Sequence, residues 1–225
     1  MFVTSFSQDG YNLYGEKFLL SFLAHSDEPI TVYYEQTPPA LKDERIIYKN
    51  LFDVPGCINF LDVASRVPAF RGEVNGKVNY RYNVFRFCRK SFAQIDAAQY
   101  DDKLFWIDSD VEITGTPVIP DFDGHFMMYL GRPKWHSCAS FIGWDNTHEQ
   151  AKEFWSVYYQ LYLSGQVFIL PEWHDSFILD EMRRGLGLKA KNLAEKYTFD
   201  GPFNVFDHVF SWGHHKKGNL KYAAA

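Results

Sequence analysis

The chain has 225 residues, of which 46% are hydrophobic and 23% charged. That balance fits one α/β domain with a substantial core, or at most two small domains, and excludes a disordered chain. The formal net charge of -5 argues against a general nucleic-acid binder, which would carry a basic footprint, but leaves room for a local basic pocket that takes a phosphorylated small molecule.

Aromatic residues make up 18% of the chain, with 21 Phe, 14 Tyr and 6 Trp. Ring faces stack on sugars and bases, although ordinary core packing accounts for most of them. The three cysteines, Cys57, Cys88 and Cys138, lack metal-ligand spacing and read as reduced, buried thiols of a cytosolic protein. Met1 leads straight into a strand-like run, so no signal peptide is expected, and no stretch approaches the ~20 apolar residues of a membrane span. A cytoplasmic location is the expectation.

Phe2-Val3-Thr4-Ser5-Phe6 reads as a first strand, followed by a polar turn at Ser7 to Gly10. Tyr11, Tyr14, Phe18, Leu19, Phe22 and Leu23 then recur at helical spacing, and Ile30 to Tyr34 forms a second strand. Together they predict a β-α-β unit with parallel strands. The end of the first strand, at Thr4 and Ser5, and the loop beyond it are a natural nucleotide site. No glycine-rich dinucleotide or P-loop pattern accompanies it. Tyr11 could stack on a base, but it fits the apolar stripe equally well.

Arg45 to Tyr48 and Ile58 to Leu61 read as short strands, and residues 71–78 as a loop. A helix is predicted from Asn79 to Gln99, with Val84, Phe85, Cys88, Phe92 and Ile95 as its apolar stripe. Arg81, Arg86, Arg89 and Lys90 place four positive charges on it, and Arg86 and Lys90 share a face. That face is either solvated or built for an anion such as a diphosphate.

Leu104-Phe105-Trp106-Ile107 is apolar without alternation, as in a strand buried on both faces, and it stops at Asp108-Ser109-Asp110. Residues two apart on an extended chain point the same way, so both carboxylates can project together at the strand's end. Ligands of open α/β sheets bind there, and paired hard oxygens suit Mg²⁺ or Mn²⁺. Two acids that merely end a strand and begin a turn are the alternative.

Further strands are predicted at His125 to Leu130 and Ala139 to Trp144. Thr147 to Gln150 has capping-box form and opens a helix carrying Ala151, Phe154, Trp155, Tyr158, Leu161 and Tyr162. Val167 to Leu170 reads as a short strand. Asp175, after Trp173 and His174, is placed as the N-cap of a short helix from Phe177 to Arg184, and equally as a carboxylate able to accept a proton or hold a sugar hydroxyl. Near the end of the chain, His214-His215 could be an exposed polar pair or supply one imidazole to a metal, with Lys217 or Lys221 facing phosphate.

Phe105 to Asp110 and the run His215-Lys216-Lys217-Gly218-Asn219-Leu220-Lys221 together resemble the nucleotide-sugar glycosyltransferases of the GT-A fold. The first looks like their DxD motif. The second is similar to the HxxGxxK part of the family 8 signature, although Tyr222 stands where the Pro-Trp that completes it would begin. The resemblance implies a Rossmann-like α/β domain over residues 1–222, with a mixed, mainly parallel central sheet flanked by helices. Residues 1–110 would be the nucleotide-binding half and 111–222 the acceptor half; Ala223 to Ala225 carries no assigned role.

The same resemblance implies Asp108, Asp110 and His215 as ligands of Mn²⁺ or Mg²⁺, with His214 competing if the register differs by one. Lys221 and Gly218 would meet the diphosphate, with Arg86, Lys90 and Ser109 beside it. Trp173 and His174 would lie near the acceptor, and Asp175 would orient or deprotonate its hydroxyl. The implied activity is metal-dependent transfer from a UDP-sugar to a glycan, lipid-linked or protein acceptor, leaning towards retention. Inverting transfer, sugar-nucleotide hydrolysis or nucleotidyl transfer, and non-catalytic carbohydrate binding are the rivals.

Overall fold

The computed structural model describes residues 1–197 and 204–216. Strand β1 (Phe2–Phe6) passes through a helical turn α1 (Gln8–Gly10) and a π-helical stretch (Tyr11–Gly15) into α2 (Glu16–His25). Then come β2 (Ile30–Tyr34), β3 (Ile46–Asn50) and α3 (Cys57–Arg66). A small hairpin of β4 (Glu73–Val74) and β5 (Lys77–Val78) precedes α4 (Val84–Ala97) and β6 (Lys103–Ile107). The second half holds β7 (Val111–Ile113), β8 (Met127–Arg132), β9 (Trp135–Asp145), α5 (Ala151–Leu163) and α6 (Asp175–Gly185). It closes with β10 (Ala190–Asn192), α7 (Val205–Val209) and β11 (Gly213–His215).

Seven strands form one mixed sheet in the order β10-β8-β9-β6-β1-β2-β3. β1 pairs parallel with β2 and β6, β2 with β3, and β10 with β8, while β9 runs antiparallel between β6 and β8. Side chains alternate along a strand, so β6 feeds two cores. Leu104 and Trp106 pack with Phe92 of α4 and with Tyr158 and Tyr162 of α5. Ile107 packs on the other face with Phe18 and Phe22 of α2 and Phe206 of α7. Burial on both faces is why the strand reads as an unbroken apolar run. All three cysteines are buried and none is in a disulfide among the described residues, and no helix among the described residues is long and apolar enough to cross a membrane.

Several local expectations are corrected. Ile58 to Leu61 lies inside helix α3, where Cys57, Phe60, Leu61 and Ala64 form the buried stripe and Ile58 is exposed. A four-residue window cannot separate that spacing from strand alternation. Residues 71–78 contain the β4–β5 hairpin, turned at Asn75 and Gly76, whose φ values of 51° and 72° suit a tight two-residue turn. The predicted 79–99 helix is broken. Arg81 sits in a separate 3₁₀ turn (Tyr80–Tyr82), and α4 begins where the Asn83 side chain accepts the Arg86 amide at 2.9 Å.

Thr147 to Gln150 is a turn rather than a capping box. The Thr147 hydroxyl donates to Asp145 at 2.5 Å, and α5 has no side-chain N-cap. Val167 to Leu170 falls mostly in a 3₁₀ turn (Gln166–Ile169) entered through Gly165 at φ 73°. The N-cap of α6 is His174, whose Nδ1 accepts the Phe177 amide at 3.3 Å, and Asp175 is the first helical residue.

Candidate active site

The C-terminal ends of β1, β2 and β6 and the start of α4 border a cleft of ≈ 380 Å³, and Asp108, Ser109, Asp110 and Asp175 all reach it. The turn after β6 is fixed by its backbone: the Asp108 amide donates to Ser140 O at 2.9 Å and the Val111 amide to Asp108 O at 3.1 Å. The Ser109 hydroxyl donates to Ser5 O at 3.2 Å, tying the turn to β1.

Asp108 Oδ1 accepts the Trp106 indole N–H at 2.7 Å and the Lys90 ammonium at 2.7 Å. Lys90 also pairs with Asp175 at 3.0 Å and donates to Ala139 O. Its Nζ therefore joins α4 to both carboxylates and to β9. Burial alone would strip the charge from Lys90, but Asp108 and Asp175 hold it charged and raise its pKa above the usual lysine range. Burial likewise opposes charge on Asp175, yet Lys90 outweighs it and keeps that carboxyl below its ordinary value.

His215 arrives through the short β7–β11 ladder. β7 continues directly from the acidic turn, β11 pairs with it antiparallel, and His215 lies opposite Val111. The Lys216 amide donates to Asp110 O at 2.9 Å, and Asp207 of α7 accepts the His215 amide at 2.8 Å. The ring is buried, with Nε2 3.1 Å from Asp110 Oδ1. Burial works against a charge on it, but Asp110 and Cys138 beside it raise its pKa to about 9. Of the two neighbouring histidines it is His215 that faces the acidic pair. His214 is exposed and faces Asp207 at 3.4 Å. One donor atom each from Asp108, Asp110 and His215 lies within 4.8 Å of the others.

The other expected residues divide. Ser5 and Arg86 line the cleft; Arg86 is exposed, with its guanidinium 5.9 Å from the Phe87 ring. Thr4 is fully buried in β1 and its hydroxyl finds no hydrogen-bond partner among the described residues. Tyr11 packs on Phe6 at 5.3 Å and donates to Glu16 at 3.1 Å, outside this cleft. Trp173 lies among Phe70, Phe168 and Tyr82, with its indole donating to Leu170 O at 2.9 Å. His174 caps α6 and turns towards Glu172 rather than the cleft. Gly218 and Lys221 lie outside the described residues, as does Lys217.

The sequence singles out Arg89 only as one of four charges and gives Glu35 no role, yet the two form an ion pair at 2.8 Å in the cleft wall. Its signal was present: Glu35 closes the apolar strand β2 just as Asp108 closes β6. The indole of Trp106 was also missed as a donor to the acidic pair, because a tryptophan inside an apolar run reads as core.

No family model matches the chain, and neither does any curated protein. Several solved structures do resemble it. A galactosyltransferase, LgtC, crystallised with donor and acceptor sugar analogs, is 10% identical, with 78% of this chain and 68% of that one aligned at a TM-score of 0.44. Mouse xyloside xylosyltransferase 1 is 9% identical over 85% of this chain and 83% of its own, at 0.47. The glycosyltransferase GlyE of Streptococcus pneumoniae is 15% identical over 85% of this chain and 44% of its own, also at 0.47.

Proposed function

We propose that the chain is a metal-dependent glycosyltransferase of the GT-A kind, moving a sugar from a nucleoside diphosphate sugar, UDP-linked in the first instance, to an acceptor hydroxyl. The observation that carries this reading is the convergence of Asp108, Asp110 and His215 at the C-terminal edge of the sheet. Two carboxylates and one imidazole are a donor set that suits Mn²⁺, and Mg²⁺ with fewer protein ligands. Lys90 and Trp106 both bind Oδ1 of Asp108, so Oδ2 is the oxygen open to a cation. A bound ion would supply Lewis-acid neutralisation of the charge that develops on the leaving diphosphate.

Arg86 is the cleft cation suited to diphosphate, because it is exposed and no carboxylate partner holds it among the described residues. Lys90 is engaged twice over. Its role here is to hold Asp108 and Asp175 in place, and Asp175 then orients a sugar hydroxyl. Gly218 and Lys221 are proposed as further diphosphate contacts.

Retention fits the cleft better than inversion. An inverting enzyme needs a general base near neutral pKa. Asp175 is paired with Lys90 at 3.0 Å and its pKa is depressed, while Glu35 is paired with Arg89 at 2.8 Å. Asp175 so held is not disposed to take a proton, which leaves that task to the donor phosphate.

The test is a thermal-shift screen of nucleoside diphosphates and nucleotide sugars with and without Mn²⁺, followed by product analysis. Stabilisation that needs both nucleotide and metal, and is absent in Asp110→Asn, is the expected result. Nucleotide-sugar turnover undiminished in that variant would refute the metal assignment, and release of free sugar with every acceptor tried would replace transfer by hydrolysis.

A further inference from the structure

We infer that the chain carries a second metal site, for Zn²⁺, built from His136, Glu172 and His174. The three come from different elements: His136 from the start of β9, Glu172 from the loop after the 3₁₀ turn that follows α5, and His174 from the N-cap of α6. One donor atom from each lies within 4.8 Å of the others. Glu172 Oε2 is 2.9 Å from His174 Nε2 and 3.7 Å from His136 Nε2, so both imidazoles converge on one carboxylate oxygen. Two imidazoles and a carboxylate form a donor set that tetrahedral Zn²⁺ uses with its fourth position open to water. His136 and Glu172 are partly exposed, which gives an ion a route in.

The surroundings support the set. His136 Nδ1 faces the Asp180 carboxylate at 3.8 Å, so that with Nε2 on a metal the opposite ring nitrogen has a carboxylate beside it. Asp180 is itself buried and fixed by the Ser137 amide at 2.9 Å and hydroxyl at 2.6 Å. Arg81 occupies the other oxygen of Glu172, Oε1, at 2.9 Å, which leaves Oε2 as the metal-facing atom. In the metal-free protein His174 Nδ1 accepts the Phe177 amide and Nε2 carries the proton towards Glu172. Zn²⁺ takes the place of that proton, which moves to Nδ1. The long 3.3 Å bond to Phe177 is the contact given up.

An ion there ties β9 to the first turn of α6, and so fixes the position of Asp175, the residue next to His174. The site shares no ligand with the acidic pair and stands or falls independently of the transferase reading.

The experiment titrates the metal-stripped full-length chain with Zn²⁺ by calorimetry and with Co²⁺ by visible absorption. The Asp110→Asn variant, with the first cluster disabled, is expected to bind one equivalent of Zn²⁺ and to show the intense d–d bands of four-coordinate cobalt. Adding His136→Ala to that variant removes a half-buried side chain without opening the core. It is expected to keep its circular dichroism and metal-free melting temperature while Zn²⁺ affinity falls ~100-fold or more and the cobalt bands vanish. Glu172→Gln, which retains the shape, is expected to weaken binding likewise. In ¹⁵N spectra the Phe177 amide should shift on Zn²⁺ addition. No binding by Asp110→Asn, or binding of equal strength with and without His136, overturns the inference.

Discussion

Raising the pH of the metal-free protein from about 6 to about 9.5 should strip the proton that His215 shares with Asp110, and with it part of the fold's stability. The ring's pKa rises from 6.5 to about 9 in the folded chain. The folded state thus binds this proton more tightly than the unfolded state does. Its stabilisation is fully present below the unfolded value and is lost as the pH climbs through the folded one. A shift of this size corresponds to at most about 3 kcal/mol, and the buried setting of His215 means that solvent screening trims little of it. Other histidines titrate in the same range, so the useful quantity is the difference between wild type and Asp110→Asn. In that variant burial acts on His215 without the opposing carboxylate. Urea unfolding in EDTA at half-unit pH steps measures both. The wild-type advantage should shrink by ~2–3 kcal/mol across the range, and saturating Mn²⁺ should flatten the slope because the cation replaces the proton. A difference that stays constant with pH would refute the protonated pair.

Lys90→Met should cost ~3–5 kcal/mol in urea unfolding, since it leaves Asp108 and Asp175 facing each other in a partly buried place without their cation; a loss below about 1 kcal/mol would mean that water screens them. Asp108→Asn and Asp175→Asn should be non-additive by ~0.5–3 kcal/mol in a double-mutant cycle, because both act through one ammonium, whereas strict additivity would deny that coupling. Trp106→Phe keeps the ring in the core but removes the N–H bond to Asp108, so a loss of ~1–2 kcal/mol is expected, with weaker Mn²⁺ binding by calorimetry. Arg86→Ala should leave stability within ~0.5 kcal/mol and weaken nucleoside diphosphate binding, which unchanged titration curves would contradict.

What the sequence reveals depends on how locally each feature is encoded. The burial of β6 is written in four consecutive residues, because a strand covered on both faces needs no alternation. The cluster around Asp110 is legible only through the far end of the chain, since His215 reaches it by a three-residue ladder that no local pattern announces. Lys90 stands out in the sequence for its charge, with a solvated face or a diphosphate as its expected setting, and its carboxylate partners are not legible there. Helical spacing places Arg86 and Lys90 on one face, yet only the packing of α4 on β1 and α6 shows that the deeper of the two is consumed by carboxylates. Ile58 to Leu61 was misread because the choice between spacings of two and three needs more residues than the window held. The β4–β5 hairpin, by contrast, had its Asn75-Gly76 signal in plain view.

The cleft's charges are paired in a way that bears on how it can work. Asp108 and Asp175 share Lys90, Glu35 holds Arg89, and His215 leans on Asp110. Glu35 and Asp110 each have a cationic partner, whereas Asp108 and Asp175 divide one ammonium between them, and Arg86 stands apart among the cleft residues. An anion entering this cleft meets Arg86 first. A cation bound between Asp108, Asp110 and His215 would compete with a proton at His215 and share Asp108 with Lys90. Were Asp108 to turn part of its charge towards a bound cation, its hold on Lys90 would weaken and the Lys90–Asp175 pair would tighten. Lys90 thereby links the acidic turn to the first residue of α6, so that occupancy on one side of the ammonium would alter the carboxylate on the other. A lysine so buried would be a costly way to bind a phosphate in a cleft that already offers an exposed arginine. Its place between two carboxylates makes sense as a positioning element that keeps both aimed into one cleft.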